Sequence, residues 1–421
     1  MRPSLATAVF VALSALLAGC DSGRLVFSTD EIIVERRPDP VYDQLIPAYV
    51  ELCAVSQFRS KSKGTGGAPG HAVMYVKGAC KDETAPYPQL RRCRRVATDP
   101  DDSEHGAGIS VNRWFRNVNW IAVPGNALFY AGNLEPGERL TKAHFDATVR
   151  ESIERGVFRG VELHENPDRP DQSFEQFVSH SSLATDFALQ FARSVFCSRV
   201  PVTEEMLAEI IDFLNQLNHE YATGEADYEW NGVSDNCVHT LRNALAAASV
   251  WAPLSVRAIK IRQLFNLAIP ANEFVNLARL GAEGPIDDYA EIYREKPQRH
   301  ALTEFGWLPT RHGALVKTLP VHADNDLYET ALRLFVLQSP FRRSQMEAAA
   351  RLLSDERFVE VEPNLRHFAR VYDDVLANRN EEAFGLASLR GDPYRRLRRR
   401  YYAYIEEQRS EVGEMLARLP D

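Results

Sequence analysis

Cys237 is the residue of this chain whose type and setting best suit chemistry. Ser234, Asp235 and Asn236 precede it, and each has a short polar side chain able to accept the free N–H groups of a helix start. Val238, Leu241, Leu245 and Ala248 then recur at helical spacing, so Cys237 is expected in the first turn of a helix with a buried face. The positive end of that helix favours a thiolate, with a pKa expected below the free value of about 8.5. A cysteine hydrolase arms its nucleophile in this way. The same pattern also suits a small buried cysteine that only packs. His239 lies two positions on, well round the helix from Cys237, and is expected to hold local backbone. The proton acceptor must therefore come from elsewhere.

Several elements would have to position these groups. A glycine-rich loop, residues 64–70, allows close backbone approach but lacks the Gly-Lys-Ser/Thr ending of a phosphate loop. It runs into HAVMYV (71–76), which alternates as a strand with His71, Val73 and Tyr75 on one face. A histidine opening a strand after such a loop is accessible to a substrate. Further strands are expected at 117–123, 128–131 and 160–163, and a late one at 313–319. Helices are expected at 42–55 (bent at Pro47), 143–155, 173–196, 203–221, 257–267 and 273–280. From residue 326 the pattern is nearly all helical: 327–338, 343–354, 363–377 and 394–419. Near the end, Arg395, Arg396, Arg398, Arg399 and Arg400 meet Tyr401, Tyr402 and Tyr404. Such a run suits either anionic lipid head groups or a solvated helix face.

The first residues supply an address. A short apolar run over 5–17 leads into Leu17-Ala18-Gly19-Cys20, which resembles the lipobox of bacterial lipoproteins. That resemblance implies a signal peptide over 1–19, acylation of Cys20, and a polar tether over 20–41. No later stretch reaches the roughly 18 apolar residues of a membrane span, so lipid at Cys20 is the expected membrane partner, on the periplasmic side of the cell envelope. A net charge of −9 argues against nucleic acid. An oxidising compartment permits disulfides among Cys53, Cys80, Cys93 and Cys197, which allow three pairings; Cys80 with Cys93 is the first expectation, closing a loop between two strands. No cysteine and histidine spacing reads as a metal site, and no motif calls for a cofactor.

Gly70-His71-Ala72-Val73-Met74-Tyr75-Val76 far upstream of Asn236-Cys237-Val238-His239 resembles the circularly permuted, papain-like branch of the NlpC superfamily, including its lecithin:retinol acyltransferase-like group. The Tyr228-Glu-Trp-Asn-Gly232 entry is similar to that of bacterial envelope lipoproteins of the same branch. The resemblance implies an α+β fold. A permuted papain-like core over 42–275, an antiparallel sheet packed on the cysteine helix, would carry inserted helices and be followed by a mostly helical region over 276–421. It further implies Cys237 as nucleophile, His71 as base, and Asn236 and Gly70 around the substrate and oxyanion. A polar residue on the strand after the histidine would orient the ring. Asn119 matches by position, with His180, Glu83 and Asn236 as alternatives. The function so implied is a lipid-anchored cysteine hydrolase acting on an amide or ester, with peptidoglycan peptide as the local substrate. A lipid acyltransferase or phospholipase, or a non-catalytic envelope scaffold, are the alternatives.

Overall fold

The computed structural model describes residues 22–27, 31–34, 39–55, 70–93, 105–135, 137–180, 188–191, 194–232, 234–256, 268–320, 322–327, 331–337, 344–379 and 392–419. Cys20 and the helix expected over 257–267 lie outside them.

The chain begins with β1 (Ser22–Phe27) and α1 (Pro40–Leu45), whose cap Asp39 accepts the Tyr42 N–H at 3.1 Å. β2 (Tyr49–Val55) follows, where a helix was expected from the spacing of Leu45, Tyr49 and Leu52. Pro47 offers no N–H and disfavours helical backbone at the residue before it, and Ile46 is accordingly extended. Every residue of β2 is buried, so the strand carries no alternation by which to recognise it. Next come β3 (His71–Lys77), β4 (Ala79–Lys81), β5 (Leu90–Arg92), β6 (Ala107–Val111) and β7 (Trp120–Pro124). Residues 128–131, expected as a strand, belong mostly to α2 (Asn126–Tyr130), and 160–163 contribute only an isolated bridge, Phe115 with Leu163. After α3 (Lys142–Glu154) and α4 (Phe174–His180) the chain forms β8 (Val195–Pro201), again buried throughout. The helix expected to reach 196 therefore gives way to a strand at its end.

α5 (Glu204–Ala222), capped by Thr203, leads to α6 (Cys237–Ala247) and α7 (Pro270–Glu283). Short helices α8 (Tyr289–Arg294) and α9 (Lys296–His300) and a π-helical turn precede β9 (Leu315–Thr318). β10 (Leu332–Leu337) occupies a stretch expected to be helical; its buried Leu332, Leu334 and Val336 have period two. Then come α10 (Gln345–Ser354), α11 (Glu356–Val359), α12 (Val361–Ala377) and α13 (Asp392–Ala417). In α13 the basic-aromatic run divides by face: Tyr394, Tyr401, Tyr402 and Tyr404 are buried, while Arg395, Arg396, Arg399 and Arg400 are exposed.

The fold is α+β. Its main sheet is antiparallel and six-stranded, in the order β7-β6-β3-β2-β8-β9. The boundary expected at 275 falls inside α7, and β9 from beyond it completes the sheet. One face of the sheet carries Ala54, Ala72, Met74, Ile109, Trp120, Phe196 and Val200. A helix layer covers that face. The Trp120 indole N–H donates to Leu214 O of α5 at 2.8 Å, Phe274 of α7 meets Phe196, and α6 lies between, against β3. The other face carries Glu51, Cys53, His71, Val73, Tyr75, Ser110 and Arg199 and is covered by α2, whose Phe129 stacks on Tyr75. Gly108 is required there, because a Cβ would collide with Phe129.

β1 pairs antiparallel with β10 from Ser22↔Leu337 to Phe27↔Leu332. Within the segment expected as a tether, these six residues are a strand. Cys80 and Cys93 are joined across the β4–β5 hairpin, as expected, and Cys53 and Cys197 are joined between directly opposed positions of β2 and β8. Among the described residues no helix is long and apolar enough to cross a membrane.

Candidate functional site

Cys237, which lies outside both disulfides, is the first residue of α6 and 8% exposed. The helix start is held by Asn236, whose Oδ1 accepts the N–H groups of Val238 (2.9 Å) and His239 (3.4 Å). His239 Nδ1 reciprocates by accepting the Asn236 N–H at 3.4 Å, closing a capping box. Burial, and then the charge of Arg242, push the His239 pKa down to about 4, so the ring is neutral at ordinary pH. His239 is thus part of the cap, as its spacing implied. Asn236, expected near the substrate and oxyanion, has its side chain committed: Nδ2 donates to Gly232 O at 2.9 Å. Both ends of the Asn236 amide are thus taken up within the cap and the loop before it.

The approach to the thiol is a tight loop. Asn231 N–H donates to Asp235 O at 2.7 Å and Asp235 N–H to Asn231 O at 3.0 Å, so the chain doubles back just before the helix. Trp230 stands at this turn, 43% exposed. Behind it, the buried Tyr228 hydroxyl donates to Asn112 O at 3.3 Å. Its pKa is raised well above the usual phenol value, by burial first and then by the neighbouring Asp235 and Cys237. Asn112 follows β6 at the end of the sheet where β3 begins, so Cys237 and His71 lie toward the same end.

His71 opens β3 after Gly70, whose positive φ of 90° suits glycine. Its Nε2 lies 2.9 Å from the hydroxyl of Ser110, which is fully buried on β6. Ser110 is the polar residue on the neighbouring strand that holds the imidazole. Asn119 does something else: its Oδ1 accepts the Thr240 hydroxyl at 2.8 Å and its N–H donates to Asn218 Oδ1 at 2.8 Å. It ties the cysteine helix to the sheet and is not the ring's orienting partner. Among the alternatives, Glu83 pairs with Lys81 at 2.5 Å, and the side chain of His180 lies outside the described residues. Ser110 went unread because AGISV is a five-residue strand containing glycine, too short to declare its period.

Strand alternation has a further consequence. It sends the His71 ring to the face shared with Val73 and Ser110, while α6 packs on the opposite face. Any contact between imidazole and thiol runs round the open end of β3, not across one face of the sheet. A possible ligand trio elsewhere, Glu51 with Cys53 and Cys197, has both sulfurs bound in a disulfide and offers no thiolate to a metal. Comparison of the chain with protein-family models, curated proteins and solved structures finds no match.

Proposed function

We propose that the chain is a lipid-anchored envelope cysteine hydrolase with a permuted papain-like core, in which Cys237 attacks an amide or ester carbonyl, peptidoglycan peptide being the substrate nearest at hand. One observation carries this reading: Cys237, which lies outside the two disulfides, is the first residue of a capped helix packed against the strand that His71 opens. The positive end of a helix favours a thiolate, the form of cysteine that attacks a carbonyl.

In this reading His71, with its ring held by Ser110, takes the Cys237 proton at the rim of the sheet. The thiolate forms a bond to the carbonyl carbon, and the carbonyl electron pair moves to oxygen, where the N–H of Cys237 and the positive end of the helix dipole stabilise it. Collapse breaks the C–N or C–O bond as His71 returns the proton to the leaving group. Water, deprotonated by His71, then releases the acid and regenerates the thiol.

The placement of His71 and α6 on opposite faces favours a second reading, an envelope scaffold in which Cys237 only packs. Iodoacetamide alkylation of the full-length chain across pH separates the two. With His71 as base, alkylation is half-maximal below about pH 8.5, and His71→Gln moves that midpoint up. Superimposable profiles for parent and variant would remove the base. Turnover of peptidoglycan peptides should fall at least about a thousandfold in Cys237→Ala, given that covalent catalysis is lost entirely.

A further inference from the structure

A shallow depression open to solvent lies between α10, α11 and α12, far in sequence from Cys237, and four exposed arginines line it: Arg351, Arg357, Arg366 and Arg370. Two carboxylates, Asp355 and Glu356, share the lining, and Glu283 and Glu362 stand behind it, so what marks the wall is its array of planar donors rather than an excess of charge. Three of the guanidiniums are braced by carboxylates. Arg357 grips both oxygens of Asp355, its Nε at 3.0 and 3.1 Å; Arg366 Nε holds Glu362 at 2.8 Å; Arg351 pairs with Glu283. A guanidinium has five N–H donors, so a carboxylate on one edge fixes its plane and leaves donors for something else. Arg370, one turn beyond Arg366 on α12, has no carboxylate partner among the described residues. His367 between them senses the same field: its pKa is lowered by burial first, then by Arg357 and Arg370.

We propose that this depression binds a phosphate-bearing anion, held by Arg370 and by the open edges of the three braced arginines. Planar guanidiniums match pairs of phosphate oxygens, and the open side leaves room for whatever the phosphate is attached to. Asp355 is kept ionised by Arg357 and turned onto it. The site stands apart from Cys237 and does not depend on its chemistry.

Two sources could supply that chemistry, free phosphate or the head group of an anionic lipid, and titration calorimetry on the full-length chain in uncharged detergent micelles tells them apart. One arm uses inorganic phosphate, the other micelles doped with phosphatidylglycerol. Saturable binding of inorganic phosphate assigns the free anion; saturable binding of the doped micelles alone assigns the head group. In either case Arg370→Gln weakens binding about tenfold, the loss expected for a charge-assisted pair, and added salt weakens it further. A control variant, Arg396→Gln with Arg399→Gln on the exposed face of α13, binds as the parent does. Binding of neither probe, an unchanged affinity in Arg370→Gln, or an equal loss in the α13 control overturns the proposal.

Discussion

The two faces of the six-stranded sheet are built on opposite principles. Under the helices the strands present Ala54, Ala72, Met74, Ile109, Trp120, Phe196 and Val200, an apolar surface closed by α5, α6 and α7. On the other side charge is buried outright. Arg199 Nε donates to Glu51 Oε2 at 2.6 Å, the Tyr130 hydroxyl donates to Glu51 Oε1 at 2.6 Å, and Arg199 stacks over the rings of Tyr42 and Tyr49. Lys317 and Asp39 extend the cluster at 3.6 Å. The difference teaches where each catalytic candidate belongs. Cys237 and the neutral His239 sit in the dry layer, whereas His71 and Ser110 belong by alternation to the polar one. Chemistry between them has to be done at the boundary.

The sharpest way to break this contrast is Arg199→Ala, which strands Glu51 as a buried charge without its partner. It should cost about 3–5 kcal/mol of stability in urea unfolding, and a loss under about 1 kcal/mol would mean that water reaches this face after all. On the helix side, Leu241→Ala leaves a cavity against the sheet and should cost about 2–4 kcal/mol; a value near zero would show the layer to be loosely packed. Acid probes the dry layer more gently. Folding holds His239 near pKa 4, below the ordinary 6.5, and likewise His312, which is buried outside that layer against Arg311 and Tyr372, so protonation favours the unfolded chain. Stability is whole above pH 6.5 and declines as pH falls toward 4, by about 3 kcal/mol for each ring. His239→Gln should flatten part of that slope, and an unaltered slope would place the ring in solvent. The smallest effect belongs to the cap. Asn236→Ala should cost about 1 kcal/mol and slow Cys237 alkylation slightly; a loss of several kcal/mol would give Asn236 a role beyond capping.

Much of the helix layer was legible in the sequence, because amphipathic helices with capping residues announce both their ends. Thr203 before Glu204 and Glu205 marked α5, and Asn236 marked α6. The strand of His71 and the Cys80–Cys93 pair were legible for similarly local reasons. The centre of the sheet was not. β2 and β8 are buried on both faces, so YVELCAV and VFCSRVP show no period, and a leucine spacing that happens to fit a helix wins by default. Without β6 the sequence does not display Ser110, and Asn119 is the match by position that remains. A partner across strands is fixed by register, which a single sequence does not display.

The pairing of β1 with β10 bears on how such a molecule would sit at a bilayer. Ser22 lies two residues after Cys20, and six consecutive residues from there are hydrogen-bonded along a strand. An acyl chain on Cys20 would leave almost no slack: the body would ride flush with the lipid surface, its reach set by its own width. Force applied through that lipid would arrive as shear along β10, so extraction from the membrane would strain the fold's last third before it straightened any linker.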